Sequence, residues 1–449
     1  TVTIADAKTG AIVASASNPT FDANKLNIVN YNNPLVSYTY EPGSTMKIFS
    51  FMSSMEEGKY NGSEEYASGT IKVDDYEIRD WNKVGWGKIT YDRGFTYSSN
   101  VAATLLAQQV GKEKLLDYYT KLGFGSKTGI ELYGEMTGKI NFMYNSELAA
   151  ASYGQGITIT PIQMIQALTT ITNNGTVLKP YIVKSITDSS GKVIKENKKT
   201  EGEKVFSKET VEKIKELMDL TVNGEDNAAT GVVYKTDKVR LIGKTGTAQY
   251  TNEYGTYTTE GIYKIRSFAG IFPKDNPEYI IYVAIKDLNG GSSAMAKMVK
   301  SVVESISKYR NLSDRDTNKD ETKYVDLKSY LNKSIDESVS ELKNLNLTPV
   351  VVGDGNIIVD QYPKKNENIV IGSKVYLKTN TTKKIMIDIR GFNISEVINL
   401  MNIMDVDYEI NGTGKVVSTN IEPNNEITEK VIINLEWGEI WKEKRKSKL

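Results

Sequence analysis

The C-terminal part of the chain repeats itself, and this repeat limits the folds that it can adopt. Two Gly-x-Gly turns stand 59 residues apart, at residues 353–355 and 412–414, and the same apolar spacing precedes both. The matching apolar positions are Ile335, Val339, Leu342, Leu347 and Val351 in the first copy and Ile394, Ile398, Met401, Val406 and Ile410 in the second. This spacing predicts a short amphipathic helix, a strand, the glycine turn and two more strands in each copy. We therefore expect two small tandem modules, at residues 323–380 and 384–438.

The preceding part of the chain is long enough for a large domain. At 449 residues the whole chain exceeds one ordinary domain. Strand-like and helical patterns are mixed up to residue 310, which predicts an α/β layer fold for residues 1–310. We expect a polar linker at 311–322 and a basic tail at 439–449. Because the chain starts without Met, directly in a strand-like run, we expect it to be a fragment whose N-terminal part is missing.

Local patterns place several elements within residues 1–310. The β-prone runs Thr1–Ile4 and Ala11–Ala14 flank a turn and predict a hairpin. Helices are predicted at 48–57, 101–110, 115–122, 161–172, 208–220 and 294–308, and strands at 182–186, 232–242, 267–272 and 279–285.

Composition excludes several kinds of chemistry. The chain has no cysteine and no histidine, which excludes disulfides, thiolate catalysis, histidine-bound metals and a Ser-His-Asp triad. Catalysis must therefore use Ser, Lys, Tyr or carboxylate side chains, and neither a metal nor a cofactor is implied. Lys plus Arg and Asp plus Glu both number 56, so no overall charge favours nucleic acid.

The tripeptide Lys-Thr-Gly occurs three times, at residues 8–10, 127–129 and 244–246. The first copy lies in the predicted hairpin turn, and the second follows a glycine-rich loop that predicts a surface position for Lys127. A phosphate-binding loop at the third copy would need a glycine at position 238, where the chain has Lys238. The third copy instead follows the predicted strand 232–242, and Gly246 has no side chain to block a peptide lying along that strand.

Ser44 and Lys47 follow a Pro42-Gly43 turn and lie at the start of a predicted helix. Three residues apart, they share one helical face, so the lysine amine can reach the serine hydroxyl. The helix N-terminus also offers free N–H groups and a positive dipole end to an oxyanion. In a chain without histidine, a lysine of lowered pKa is a base that a serine nucleophile can use. The same S-x-x-K spacing at 189–192, 305–308 and 340–343 lacks the Pro-Gly turn.

Ser98 and Asn100 lie where a loop enters the predicted helix 101–110. Two residues apart, both side chains can face one cleft. The alternative is an ordinary helix cap, a role that Ser and Asn fill well.

The ordered set Ser44-x-x-Lys47, Ser98-x-Asn100 and Lys244-Thr245-Gly246 resembles the signature of penicillin-binding proteins and class A β-lactamases, although Ser99 replaces the Asp of the usual S-D-N. Gly154-Gln155-Gly156, Asn18-Pro19 and Gly246-Thr247-Ala248 also look like a class B penicillin-binding protein. The two repeat modules resemble PASTA domains. The resemblance covers nearly the whole chain and implies an α+β transpeptidase fold, with a five-stranded, mainly antiparallel sheet covered by helices and an all-helical lobe.

The same resemblance implies a role for each matching residue. Ser44 would be the nucleophile, Lys47 its base, Ser98 a proton relay and Asn100 a ligand of a substrate amide. Lys244 would supply positive charge to the site.

On the third motif, the resemblance implies that Thr245 and Thr247 bind the substrate carboxylate beside Gly246. The backbone N–H groups of Ser44 and Thr247 would form the oxyanion hole.

The activity implied is that of a peptidoglycan D,D-transpeptidase that acts on D-Ala-D-Ala stem peptides and is acylated by β-lactams. A membrane glycosyltransferase partner, a role in septal wall synthesis and a location on the outer face of the cell membrane follow from the same resemblance. A D,D-carboxypeptidase, a sporulation-specific transpeptidase and a β-lactam or muropeptide sensor remain alternatives. A class A β-lactamase is disfavoured because no E-x-x-L-N stretch is present and such repeats do not belong to that class.

Overall fold

The computed structural model describes residues 1–21, 28–189, 192–226, 228–250, 264–288, 291–310, 312, 324–370, 372–381, 383–412 and 414–436. The chain divides into two compact units, Thr1–Arg315 and Asp316–Leu449. The predicted linker, apart from Leu312, and the predicted basic tail lie outside the described residues. In the described part of the chain, no helix is both long and apolar enough to cross a membrane.

The first unit mixes helices and strands, as predicted for residues 1–310, and it also contains several short elements that the patterns did not predict. Its helices are α1 (Pro34–Ser37), α2 (Lys47–Glu56), α3 (Tyr91–Thr96), α4 (Asn100–Val110), α5 (Lys112–Lys121), α6 (Asn145–Ser152), α7 (Pro161–Thr172), α8 (Lys208–Asn223) and α9 (Gly291–Arg310). Its strands are β1 (Val2–Asp6), β2 (Ile12–Ala16), β3 (Glu65–Ala67), β4 (Thr70–Val73), β5 (Tyr76–Arg79), β6 (Lys88–Thr90), β7 (Thr176–Leu178), β8 (Ser185–Thr187), β9 (Val193–Glu196), β10 (Glu201–Lys204), β11 (Ile242–Gln249), β12 (Lys264–Phe272) and β13 (Tyr279–Lys286). Short 3-10 helices occupy Gly43–Met46 and Val232–Tyr234.

A five-stranded sheet forms the centre of this unit, in the order β11-β12-β13-β1-β2. Each of its four neighbouring pairs is antiparallel. Side chains alternate between the two faces of a strand, and β13 shows the result: Ile280 and Tyr282 join a core with residues of α7 and α8, whereas Ile281 and Val283 join one with α9. Helices therefore cover both faces of the sheet, and the predicted antiparallel α+β architecture is confirmed.

Local sequence signals account for the ends of several helices. Thr160 caps α7 by accepting a hydrogen bond from the N–H of Gln163, whose side chain in turn accepts from the N–H of Thr160. Pro161 occupies the first helical position, where its missing N–H costs nothing. At the predicted hairpin, Asp6 Oδ1 accepts hydrogen bonds from the N–H groups of Lys8 and Thr9, so the first Lys-Thr-Gly copy is a turn, as expected.

Two predicted strands differ from the structure. Of residues 182–186 only the last two lie in a strand, β8, and the predicted strand 232–242 is largely wrong. Residues 232–241 do not form a strand, because Val232–Tyr234 is a 3-10 helix and β11 begins only at Ile242. Tyr234 is fully buried and stacks on Phe268 at 4.0 Å between ring centroids. The β-branched and aromatic residues of this run thus fill the core from a turn rather than from a strand.

The second unit contains both repeat modules. Its elements are β14 (Tyr324–Asp326), α10 (Ile335–Asn344), β15 (Thr348–Val352), β16 (Ile358–Tyr362), β17 (Asn368–Val370), β18 (Lys374–Thr379), α11 (Ile394–Met404), β19 (Tyr408–Gly412), β20 (Lys415–Thr419) and β21 (Val431–Glu436). The three-stranded sheets β15-β18-β16 and β19-β21-β20 have the same order, with one parallel and one antiparallel pair in each. The fold thus repeats as the sequence does.

Removal of a core side chain should unfold the first module locally. Leu342 is fully buried on α10 and packs in a small cluster with Leu347, Ile358 and Leu377. We expect Leu342→Ala to lower the opening free energy of β18 by about 2–5 kcal/mol, because the truncation leaves a cavity. Amide hydrogen exchange of β18 measures this loss.

The matched control is Leu331→Ala, since Leu331 is 44% exposed. It should change that free energy by less than roughly 0.5 kcal/mol. Equal losses in the two variants would contradict the assigned core.

Candidate active site

Ser44 lies in the 3-10 helix Gly43–Met46, which continues directly into α2. Lys47 is the first residue of α2, so its side chain returns over the turn that holds Ser44. Its Nζ atom lies 3.0 Å from Ser44 Oγ, as the S-x-x-K spacing predicts. The two groups can therefore exchange a proton directly.

Lys47 also connects Ser44 to the loop before α4. Its Nζ donates to Ser98 O at 2.7 Å and to Asn100 Oδ1 at 2.7 Å, and it lies 3.3 Å from Ser98 Oγ. The side chain is fully buried, and no carboxylate is among these partners. The amine is thus held by neutral oxygen atoms from two motifs.

Burial lowers the pKa of Lys47 well below its ordinary value, because water no longer solvates the ammonium form. The positive charge of Lys244 lowers it further, and the carboxylate of Asp80 acts in the opposite direction. Burial also lowers the pKa of Lys244 to about 7. The site therefore holds two amines that lose protons far more readily than surface lysines do.

Ser98 joins these two lysines. Its Oγ accepts a hydrogen bond from Lys244 Nζ at 2.9 Å and lies within reach of Lys47 Nζ. The residue is buried and has φ +62°, in the left-handed region that side chains other than glycine seldom adopt. The cap of α4 is its neighbour Ser99, whose Oγ accepts from the N–H of Ala102. The helix-cap interpretation of Ser98 is therefore wrong.

The third Lys-Thr-Gly copy lies within β11, an edge strand of the sheet. Lys244 is fully buried, and its Nζ lies 5.8 Å from the centre of the Phe95 ring. Thr245 Oγ1 donates to Thr230 Oγ1 at 2.8 Å, and Thr247 is exposed. Because side chains alternate along a strand, Thr245 and Thr247 lie on the same face of β11.

The physical reason for Gly246 differs from the expectation. A Cβ atom there would lie 2.2 Å from Ser267 Oγ and 3.1 Å from both Pro42 O and Thr45 Cγ2. The absent side chain thus makes room first for the Ser267 hydroxyl on β12 and, less tightly, for the turn that carries Ser44.

Gly43 and Gly154 fix the position of that turn. Gly43 has φ +59°, and a Cβ on it would lie 2.7 Å from Thr247 O, so the turn rests directly on β11. On its other side, the N–H of Gly43 donates to Gly154 O at 2.9 Å. Two close backbone contacts therefore bring Ser44 and Thr247 together.

The structure brings the three motifs into one site. The other copies of these sequence patterns have different surroundings. In the second Lys-Thr-Gly copy, the N–H groups of Thr128 and Gly129 donate to the buried carboxylate of Glu135, and Lys127 is exposed as predicted. Ser305 and Lys308 lie on α9, and Ser340 and Lys343 on α10 of the second unit.

Sequence patterns missed Asp80, a buried acidic residue beside the site. Its Oδ1 accepts hydrogen bonds from the N–H groups of Asn100 and Val101. Asp80 stands in a loop 20 residues before Asn100 and belongs to no motif, so no local signal pointed to it.

Comparisons with known proteins agree with this fold. The family model described as penicillin binding protein transpeptidase domain matches residues 1–306, and that of the PASTA domain matches residues 325–381. The chain therefore belongs to the penicillin-binding protein transpeptidase family. This confirms the resemblance drawn from the motifs.

Among its relatives, the chain is 32% identical over 400 residues to Stage V sporulation protein D of Bacillus subtilis (strain 168), covering 84% of this chain and 60% of that protein. The crystal structure of Penicillin Binding Protein 2X from Streptococcus thermophilus has a TM-score of 0.62 and 28% identity, covering 97% of this chain and 67% of that one. Penicillin binding protein 3 of Mycobacterium tuberculosis, complexed with aztreonam, has a TM-score of 0.63 and 28% identity, covering 70% of this chain and 73% of that one. The chain thus spans about three fifths of the length of the Bacillus subtilis protein.

A side chain at Gly154 should displace the turn that carries Ser44. A Cβ there would lie 2.1 Å from Gly43 O, at a residue whose φ is +81°. We expect Gly154→Ala to lower the free energy of unfolding by about 1–3 kcal/mol more than the cost of its positive φ, because backbone atoms must move. Denaturant unfolding of the full chain measures this loss.

Gly156→Ala is the matched control. Gly156 also has a positive φ, +70°, but its nearest neighbour would be 3.8 Å from an added Cβ. This variant should lower the free energy of unfolding only by the cost of a side chain at positive φ, roughly 1–2 kcal/mol. A loss as large as that of Gly154→Ala would show that the close contact is unimportant.

Proposed function

We propose that the chain is a serine D,D-transpeptidase that cross-links peptidoglycan stem peptides through an acyl-enzyme on Ser44. The observation that carries this proposal is the buried Lys47 amine, which contacts Ser44 Oγ, Ser98 and Asn100 at once. A serine becomes nucleophilic when a neighbouring base can take its proton. Lys47 is such a base, because burial lowers the pKa of its amine.

The hydrogen bonds of Lys47 leave its lone pair directed to the nucleophile. A neutral amine has two N–H bonds, and Ser98 O and Asn100 Oδ1 can accept both. The remaining lone pair then accepts the Ser44 proton as Oγ attacks the D-Ala-D-Ala carbonyl carbon. The C–N bond to the terminal D-alanine breaks, and the proton reaches the leaving nitrogen through Ser98. A second stem peptide's amine then takes the acyl group and frees Ser44.

The other residues would bind the substrate and its developing charge. Lys244, whose Nζ contacts Ser98, would hold positive potential near the substrate carboxylate, and Thr245 and Thr247 would donate hydrogen bonds to it. The N–H groups of Ser44 and Thr247 would stabilise the oxyanion. β11 is an edge strand, so an extended peptide could lie beside it and be oriented by main-chain hydrogen bonds.

β-Lactams would acylate the same serine, as the aztreonam complex of the similar Mycobacterium tuberculosis protein suggests for this site.

We further propose a location on the outer face of the cell membrane and a membrane glycosyltransferase partner, since cross-linking needs glycan strands. Septal wall synthesis is the role inferred from the paired PASTA modules. A sporulation role is the second candidate, because a protein named for stage V of sporulation matches 84% of the chain.

The direct test is covalent labelling by a fluorescent penicillin. We expect the wild-type chain to be labelled and Ser44→Ala to remain unlabelled, because the proposal assigns the acylated hydroxyl to Ser44 and gives Ser98 the role of a proton relay. The matched control is Ser305→Ala, which removes the serine of another S-x-x-K sequence on α9 and should be labelled normally. Full labelling of Ser44→Ala would refute the nucleophile assignment.

Turnover distinguishes an enzyme from a sensor. The chain is incubated with lipid-linked precursor and a glycan polymerase, and the products are analysed for cross-linked dimers. Dimers that disappear in Ser44→Ala support the transpeptidase. Release of D-alanine without dimers would indicate a carboxypeptidase, and acylation without either product would indicate a sensor.

The two lysines should produce a bell-shaped pH profile of acylation. The rate should rise as Lys47 loses its proton, because the neutral amine is the base, and fall near pH 7 as Lys244 loses its charge. Lys244→Arg should abolish the falling limb, since a guanidinium stays protonated throughout this range. The measurement is the second-order rate constant of acylation by penicillin, over a range of roughly pH 5 to 9. A falling limb that persists near pH 7 in Lys244→Arg would contradict the assignment to Lys244.

A further inference from the structure

We infer that Asp80 is a positioning residue for the proposed acylation. Its side chain holds the turn of Ser98 and Asn100 in the geometry that the reaction needs. The inference rests on the proposed function, because it concerns the same site. No motif contains Asp80, and the side chain touches none of the reacting groups. It acts through the backbone and side chains that carry them.

The Asp80 carboxylate binds the start of α4 from inside the protein. Its Oδ1 accepts hydrogen bonds from Ser99 Oγ at 2.8 Å, from the N–H of Asn100 at 2.7 Å and from the N–H of Val101 at 3.1 Å. The residue is 1% exposed, so water does not replace these bonds. A carboxylate at a helix N-terminus is stabilised by the free N–H groups and by the helix dipole.

Asp80 is itself fixed by a second pair of hydrogen bonds. Its Oδ2 accepts from the N–H of Gly69 at 2.8 Å, and its own N–H donates to Gly69 O at 2.8 Å. The carboxylate therefore cannot rotate without breaking contacts on both sides. It forms a rigid link between this loop and α4.

Trp81 holds the other side of the turn. Its Nε1–H donates to the carbonyl of Tyr97 at 2.9 Å, immediately before Ser98. Its ring packs edge-to-face on Trp86, with 6.1 Å between centroids. Two consecutive side chains thus bind the residues that flank Ser98, whose positive φ requires such support.

The orientation of the Asn100 amide is set at the same place. Asn100 Nδ2 donates to Arg79 O at 2.8 Å, which leaves Oδ1 directed at Lys47 Nζ. Because Arg79 precedes Asp80, one short segment determines which end of the amide faces the base. A flipped amide would present N–H groups to an amine that needs an acceptor.

Asp80 also acts on the base electrostatically. Its negative charge opposes the lowering of the Lys47 pKa by burial and by Lys244. Among the described residues, Lys244 and Asp80 are the charged groups that shift the pKa of Lys47: Lys244 lowers it and Asp80 raises it. Removal of the Asp80 charge should therefore move the rising limb of the pH profile to lower pH, which a purely structural residue would not do.

The test compares Asp80→Asn with a matched substitution elsewhere in the first unit. Glu135→Gln is the control, since Glu135 is also buried and its carboxylate also accepts from two backbone N–H groups of a turn, those of Thr128 and Gly129. Thermal unfolding should show similar losses for the two variants. Acylation by fluorescent penicillin should slow about 100-fold in Asp80→Asn, as expected for misplaced reacting groups, and change little in Glu135→Gln.

Trp81→Phe is a milder second variant, because it keeps an aromatic ring and removes only the bond to Tyr97. It should slow acylation without loss of folding. Amide hydrogen exchange at Asn100 and Val101 should accelerate in Asp80→Asn and not in Glu135→Gln, which confirms the lost cap without reference to activity.

The outcomes separate the two proposals. If the wild-type chain is acylated and Asp80→Asn reacts as fast as Glu135→Gln with an unchanged pH profile, the positioning role is overturned and the proposed function stands. If the wild-type chain is not acylated, the proposed function fails and the positioning role fails with it. A slowed reaction with a shifted rising limb supports Asp80.

Discussion

The site depends on the burial of one lysine amine that no carboxylate of the described residues contacts. An ammonium ion in such a place would cost several kcal/mol in lost solvation, so the pKa of Lys47 falls and the neutral form becomes accessible. A neutral amine still has polar bonds that need partners, and Ser98 O, Asn100 Oδ1 and Ser44 Oγ supply them. These contacts come from two segments, the turn that holds Ser44 and the loop before α4, so a shift of either segment affects the amine.

The close approach of the backbone makes that arrangement possible. The turn that holds Ser44 lies between Gly154 and β11, and a Cβ at Gly43, Gly154 or Gly246 would overlap neighbouring atoms. The loop before α4 is held by Asp80 and keeps Ser98 in a left-handed conformation. Backbone strain of this kind persists when the surroundings supply enough contacts to hold it. Close contacts and hydrogen bonds thus hold both segments in place, an arrangement that the electrostatic stabilisation of the proposed reaction would require.

Much of the fold and of the site could be predicted because the signals are local. The helical spacings, the Thr160-Pro161 cap and the repeated helix-and-strand pattern follow from short-range propensity and periodicity, and the structure contains the corresponding elements. The failures have long-range causes. Residues 232–241 have strand-forming side chains but fill the core from a turn. Gly246 is required by atoms of other segments, most closely by Ser267 Oγ on β12 and then by Pro42 O.

The sequence by itself determined the chemistry that is available: serine and lysine without histidine or cysteine, in three motifs whose order defines a family. It also predicted which residues would carry that chemistry. Only the tertiary structure decided which of the Lys-Thr-Gly copies meets Ser44, how far burial lowers the lysine pKa values, and that Asp80 supports the loop before α4. The physical reason is that spacing along the chain governs contacts within one helix or turn, whereas desolvation and close backbone contact arise only when distant segments pack together.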